Sequence, residues 1–334
     1  MNLAGLYDDS SKKYHVIRRI GKGSFGEVNE GINLGNNVRV AMKVINMATK
    51  SSEVPKAIFR ELEALRQLSG CQYINKLHDI YAGDGHIVLI LDLMVSNLNE
   101  IIDNCINKID SCDIKAFSKQ MLLAIEYCHQ HGIIHRDIKP GNLLISSYGT
   151  LKLGDFGLAR SINLNNDDRS MSHQVATRWY RSPELLYASR KYSYQVDIWG
   201  IGIVIAELIS LTPLFPGIND IDQLYRVFQG LGTPTTTNWP LANQLPDFDK
   251  ASFPHMEPLS PKILLPQATN DELNFLFNHF IILDPLKRGP AKSILENEYF
   301  KSQLPECSFN CELVKYIPKI KQSTMKGEID YELS

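Results

Sequence analysis

No Cys-x-x-Cys pair occurs in this chain; its six cysteines (Cys71, Cys105, Cys112, Cys128, Cys307 and Cys311) lie scattered. A zinc site would need a second ligand pair at compatible spacing, so free thiols in a reducing compartment are expected. Neither charge sign is in excess: 35 basic against 37 acidic residues gives a formal net charge of −2. That balance gives no footing to a nucleic-acid binder. Residues 1–13 hold no apolar run of the kind that opens a signal peptide. The longest apolar stretch, 198–211, is too short for a bilayer and carries Glu207, so it reads as a buried helix. No membrane contact is expected, and the cytoplasm or nucleus is the expected location. A Gly-x-x-x-x-Gly-Lys-Ser/Thr loop is missing too, which removes one large class of nucleotide-binding enzyme.

What is present is 334 residues, 44% hydrophobic and 22% charged, ordinary for a globular protein and long enough for two lobes. Residues 14–92 read as strand-rich with one helix: a strand from His15 into a glycine-rich turn, a second from Val28, a β-branched third over 38–44, and an apolar one over 87–92. Pro55 opens a helical pattern in which Ile58, Leu62, Leu65 and Leu68 share one face. Residues 93–97 read as a hinge, and helices dominate from Leu98. Phe117, Met121, Ala124, Ile125 and Cys128 recur at helix spacing, and 143–145 with 151–153 form a hairpin signal. Residues 157–184 form a long polar segment of the length kept for functional loops. Helices resume near Ser193 and again near Asn270. Between them, Pro and Gly punctuate 212–266, which reads as an irregular insertion.

The chemistry concentrates in His135-Arg136-Asp137-Ile138-Lys139-Pro140-Gly141-Asn142 and in Asp155-Phe156-Gly157. Phosphoryl transfer asks a protein to orient an acceptor hydroxyl and to neutralise charge, and these residue types do both. Asp137 is the candidate base, or chiefly the orienting group, for the hydroxyl. Lys139 faces the γ-phosphate, and Asn142 and Asp155 are hard oxygen ligands suited to magnesium. Asp and Asn are also turn formers, so each residue alone carries little weight. Upstream, Gly21-Lys22-Gly23-Ser24-Phe25-Gly26-Glu27-Val28 can close its backbone over phosphates. A dinucleotide fold or a plain tight hairpin competes for that pattern, but strand rather than helix follows the glycines. Lys43 lies on the apolar strand Val40-Ala41-Met42-Lys43 and can pair with Glu61 on the next helix, aiming it at the α- and β-phosphates. Read singly, Lys43 is a snorkelling surface lysine and Glu61 a solvated helix charge.

Over 14–300 the chain resembles the eukaryotic protein kinases. The resemblance implies an α+β, two-lobe fold: a small β-rich lobe with one regulatory helix, a larger helical lobe, and ATP with Mg²⁺ between them. It divides the chain into an extension over 1–13, lobes over 14–92 and 93–303 with an activation segment over 155–184, and a tail over 304–334. Lys139 within His-Arg-Asp-x-Lys-x-x-Asn is similar to serine/threonine kinases. Ser182-Pro183-Glu184 resembles the family's Ala-Pro-Glu, with Glu184 expected to pair with Arg288 and Asp197 to brace the catalytic loop. Ile20, Gly21, Gly23, Ser24, Gly26, Val28, Ala41, Lys43, Leu91 and Leu144 are the implied ATP-binding positions. Asp92 and Met94 would meet adenine through their backbone groups.

The finer resemblance is to the cyclin-dependent kinases, carried by 173–181, by Pro213-Leu214-Phe215-Pro216-Gly217 and by Leu231-Gly232-Thr233-Pro234. Residues 219–224 and 142–146 bring it closest to the cell-cycle-related kinase branch, associated with cell-cycle control and the cilium. A cyclin-dependent-kinase-activating kinase is the runner-up, and a pseudokinase scaffold is the alternative from another class. The helix over 55–61 is the implied seat of a cyclin or cyclin-like activator. Ser172 aligns with the family's activating phosphosite, which implies an upstream kinase. Arg60, Arg136 and Arg160 are the cations available to match that phosphate. Ala176, Thr177 and Arg181 resemble a pocket for proline after the acceptor, implying protein substrates with Ser/Thr-Pro sites.

Overall fold

The computed structural model describes residues 12–23, 26–46, 56–83, 85–162 and 178–301. The upper lobe is built on a five-stranded antiparallel sheet in the order β1-β2-β3-β5-β4. Its strands are β1 (Tyr14–Gly23), β2 (Gly26–Asn33), β3 (Arg39–Asn46), β4 (Leu77–Gly83) and β5 (His86–Asp92). Side chains alternate faces along a strand, and β5 is buried on both. Ile87, Leu89 and Leu91 join the main core with Ala41 and Ile45 of β3. Val88 and Ile90 instead close a smaller cluster with Tyr14, Val40, Met42 and Tyr81.

Helix α1 (Lys56–Gln67) lies beneath that sheet. Ile58, Leu62 and Leu65 are buried along its inner stripe, continued by Leu68 just past its end, as the apolar spacing predicts. The helix begins at Lys56, and Pro55 lies outside the described residues. No sequence pattern marks the strand β4. His78, Asp79 and Gly83 interrupt its alternation, and it sits at the sheet edge where polar residues are tolerated.

The lower lobe follows with β6 (Ser96–Asn97), α2 (Leu98–Asn104) and α3 (Ser111–Gln130). The strand pairs β7 (Ile133–Ile134) with β10 (Arg160–Ser161), and β8 (Leu143–Ile145) with β9 (Leu151–Leu153), frame the catalytic loop. Then come α4 (Pro183–Leu186), α5 (Gln195–Ser210), α6 (Asp220–Leu231), α7 (Pro261–Leu264), α8 (Asn270–His279), α9 (Ala291–Leu295) and α10 (Glu298–Lys301). From Val196 to Ile209 every residue of α5 is buried, which makes it the central helix of this lobe. No helix among the described residues is long and apolar enough to cross a membrane.

The expectation of an irregular insertion over 212–266 is corrected by α6. Its N-cap Asn219 accepts a hydrogen bond from the Asp222 N–H, and Gln223, Leu224, Val227 and Phe228 bury one face. The flanking Pro and Gly residues bound this helix rather than break it up.

Candidate active site

The upper wall of the cleft is set by sheet register. Lys43 pairs across to Val28 on one side and Leu89 on the other. Gly21 faces Val28 and Gly23 faces Gly26 across the β1–β2 hairpin. A Cβ on Gly26 would run into the Val44 carbonyl oxygen, so only glycine lets the hairpin lie this close to β3.

From β3, Lys43 Nζ reaches Glu61 Oε1 at 2.6 Å and Asp155 Oδ1 at 3.4 Å. The structure therefore brings an upper-sheet cation, an α1 carboxylate and the Asp-Phe-Gly aspartate together. Burial works against the Lys43 ammonium, yet Glu61 and Asp155 together hold it above its ordinary value. Burial also pushes the Glu61 carboxyl up, against the pull of Lys43. For Asp155 burial opposes ionisation, but Lys43, His135 and Lys139 outweigh it and keep the carboxylate below its usual range.

The lower wall is held by Asp197, 1% exposed on α5. It accepts from the backbone N–H of His135 at 2.9 Å and of Arg136 at 2.8 Å, and bonds His129 Nε2 at 3.0 Å. Arg136 adopts a left-handed backbone with φ +67°, a conformation costly for a side chain with a Cβ and stabilised here by the carboxylate. His135 is wholly buried, bonds the Gly154 carbonyl at 3.0 Å and packs edge-on against Phe156 at 4.8 Å. Both are packing residues that register the loop against Asp155.

Within that frame, Asp137 Oδ2 accepts from Lys139 Nζ at 2.7 Å and from Asn142 Nδ2 at 2.9 Å. Asn142 Nδ2 also donates to the Asp137 carbonyl at 2.8 Å. Both amide protons of Asn142 are thus engaged, and its carbonyl oxygen remains as a hard donor. No cluster of three or more His, Cys, Asp or Glu able to hold a metal is found among the described residues. Asn142 and Asp155 supply two oxygen donors, a set that suits magnesium completed by phosphate oxygens and water.

Ala41 and Leu91, paired across β3 and β5, are buried. Ile20 is more exposed, and Val28 and Leu144 are half-buried. A Cβ on Gly154 would press to 2.8 Å from Leu144 Cδ1, so Gly154 seats β9 closely under that leucine. Asp92 and Met94, the residues expected to meet adenine, are half-buried.

Ser24, Ser172, Ala176 and Thr177 lie outside the described residues. Arg60 is half-buried on α1. Arg136 and Arg160 converge on Tyr192, donating to its hydroxyl at 2.5 Å and 3.3 Å and standing 5.8 Å and 5.9 Å from its ring centre. Sequence reading missed Tyr192, which no motif marks. It also missed the role of Asp220 at the start of α6, which bonds Arg178 at 2.6 Å and lies 3.9 Å from Arg181. Trp179 Nε1 donates to the Gly217 carbonyl at 3.0 Å, so the Arg181 turn is held by the segment leading into α6.

The protein kinase domain family matches residues 14–300. Cyclin-dependent kinase 20 of Danio rerio is 38% identical over 288 residues, covering 86% of this chain and 83% of that protein. Its Homo sapiens counterpart is 37% identical over 294 residues, covering 88% and 84%. Among solved structures, a chain from the CAK complex of Chaetomium thermophilum bound to ATP-γ-S superposes with a TM-score of 0.79 at 33% identity. That match covers 88% of this chain and 93% of the other. The chain belongs to the protein kinase family, in its cyclin-dependent kinase group, and is a serine/threonine protein kinase.

Proposed function

We propose that this kinase transfers the γ-phosphate of MgATP to Ser/Thr-Pro sites in proteins. The observation that carries the reading is Lys43 lying between Glu61 and Asp155, with Asp137, Lys139 and Asn142 mutually bonded below. Ile20, Gly21, Gly23, Ser24, Gly26 and Val28 cover the nucleotide. Ala41, Leu91 and Leu144 sandwich the base, and Asp92 and Met94 meet its edge through the backbone. Lys43 holds the α- and β-phosphates, its charge fixed by Glu61. Asn142 and Asp155 would hold magnesium, which would neutralise charge on the phosphates. Asp137 accepts the proton of the substrate hydroxyl, and Lys139 faces the group in transfer.

Ala176, Thr177 and Arg181 form the pocket for the proline that follows the acceptor. Proline brings no N–H donor, so a pocket whose carbonyl faces Arg181 loses nothing by taking it. Phosphate on Ser172 would gather Arg60, Arg136 and Arg160 and so tie α1, the catalytic loop and the activation segment together. The exposed side of α1 seats a cyclin-like activator, a reading supported by the relatives' cyclin-dependent kinase name and by a structural neighbour solved as a complex. A role in cell-cycle control, with action in the cytoplasm, nucleus or cilium, goes with the same relationship.

The test is magnesium-dependent transfer from labelled ATP to a panel of Ser/Thr peptides, with Asp155→Asn as the control. Selective labelling of Ser/Thr-Pro peptides, lost in the control, is expected. Labelling blind to the residue after the acceptor would refute the proline pocket. Transfer that persists undiminished in the control would refute the site.

A further inference from the structure

The end of β5, just before the hinge, carries an ionic cluster that the phosphate chemistry does not use. The Asp92 carboxylate closes β5, and three groups from two separate stretches of chain converge on it. His78 Nε2 of β4 stands 2.6 Å from Oδ1, Lys152 Nζ of β9 donates to Oδ2 at 2.6 Å, and the Lys76 N–H donates to Oδ2 at 3.2 Å. The Asp92 N–H returns a bond to the Lys76 carbonyl at 3.1 Å. The carboxylate is 18% exposed and the Lys152 side chain 21%, so the pair is largely withdrawn from water. Burial opposes ionisation of Asp92, but the bonds from His78 and Lys152 prevail and hold its pKa at about 2.

What these groups join matters as much as their strength. The lysine is anchored on the strand that leads into Asp155. The Leu151 N–H donates to the buried Gln120 side chain at 2.7 Å, and the Leu153 N–H to the Tyr73 carbonyl at 2.8 Å. The Val95 N–H donates to the Ile145 carbonyl at 2.9 Å, pinning the next residues of the hinge to the β8 strand. Asp92 is therefore tied by its side chain to both lobes at the residue expected to present its backbone to the purine.

Adenine offers an amino donor at position 6 and an acceptor at N1. Guanine reverses both, with an oxo acceptor and an N–H donor. A backbone carbonyl held in place accepts from the amino group and repels the oxo group. A carbonyl free to shift tolerates either, because polar discrimination requires that the mismatched group be left unpaired.

We propose that His78 and Lys152 are positioning residues for purine selectivity, acting through the Asp92 carboxylate to fix the hinge backbone against the base. This rests on the reading that Asp92 and Met94 meet adenine through their backbone groups. The test is calorimetric titration of the full chain with MgADP and with MgGDP, for wild type, Lys152→Met, His78→Phe, Asp92→Asn and Lys152→Arg. Wild type is expected to prefer ADP strongly. Lys152→Met and Asp92→Asn should each narrow the ADP-to-GDP preference about tenfold, mainly by weakening ADP; a tenfold change is about 1.4 kcal/mol. His78→Phe should act in the same direction, and Lys152→Arg should restore most of the preference. A loss of affinity equal for both nucleotides, with the ratio unchanged, would overturn the proposal and leave a merely structural ion pair. Equal binding of ADP and GDP by wild type would instead defeat the adenine reading beneath it. Should Lys152→Met not fold, Asp92→Asn, which keeps the side-chain shape, decides by the same ratio.

Discussion

Lys43 Nζ lies 2.6 Å from Glu61 Oε1, a bond that fixes β3 to α1 across the roof of the nucleotide cleft. Glu61 is 4% exposed, so the pair is withdrawn from solvent, and removing Glu61 leaves the buried Lys43 ammonium only the longer contact to Asp155 at 3.4 Å. Glu61→Gln should therefore reduce kcat/KM by about 10²-fold, as expected when a group that orients phosphate-binding charge is lost. Lys43→Met should reduce it at least as far. Steady-state kinetics with MgATP as the varied substrate would check both, and a Glu61→Gln variant of wild-type efficiency would remove this pair from the mechanism.

Asp137 is held by Lys139 and Asn142 while its own backbone continues from the strained Arg136. Asp137→Asn keeps the shape but loses the proton acceptor. Its kcat should fall about 10²- to 10⁴-fold, the range of general-base contributions. The KM for ATP should stay near the wild-type value, since Asp137 is proposed to meet the acceptor hydroxyl and not the purine. A rise in that KM without loss of kcat would contradict the assignment.

Glu184 and Arg288 form a two-pronged pair at 2.7 Å and 3.0 Å, with Arg288 1% exposed. The guanidinium also donates to the carbonyls of Ile282, Leu283 and Gln195 and stacks 4.9 Å from the Trp199 ring. Arg288→Met strands a buried carboxylate, and a loss of about 3–5 kcal/mol is expected. Equilibrium unfolding in urea would read it. A shift smaller than about 1 kcal/mol would mean that this pair does not hold the activation segment to the lobe.

How much of this could be read from the chain follows from how local each signal is. The catalytic loop and the Asp-Phe-Gly turn are short contiguous segments, so their residue types stand together in sequence as they do in space. The β8–β9 hairpin and the α1 and α3 stripes were legible for the same reason, since period and turn chemistry are local. The helix α6 was not, because the Pro and Gly residues around it masked its Leu224, Val227 and Phe228 spacing. Tyr192 and the His78–Asp92–Lys152 cluster were invisible. Their bonded pairs lie 14 to 60 residues apart and meet only once the chain has folded.

His279, near the end of α8, is half-buried, and burial lowers its pKa below the usual histidine value. Its Nε2 bonds Asn297 Nδ2 at 2.9 Å, which the neutral ring can accept. The unfolded chain takes up a proton near pH 6.5 while the fold keeps the ring neutral, so unfolding binds protons as the medium acidifies. Stability from this residue is therefore full above pH 6.5 and declines as pH falls below it. His279→Gln, which still accepts from Asn297, should flatten the fall in urea midpoint between pH 7 and pH 5. An unchanged slope would show that other histidines set it.

In the proposed mechanism Lys43 above and Asn142 and Asp155 below grasp one triphosphate. The most direct measurement of this is the affinity of the full chain for ATP, titrated with and without magnesium, in wild type and in Asp155→Asn. Wild type should bind ATP more tightly when magnesium is present, and Asp155→Asn should lose most of that gain while keeping its fold. ATP binding that ignores magnesium in wild type, or a magnesium gain untouched by Asp155→Asn, would contradict it.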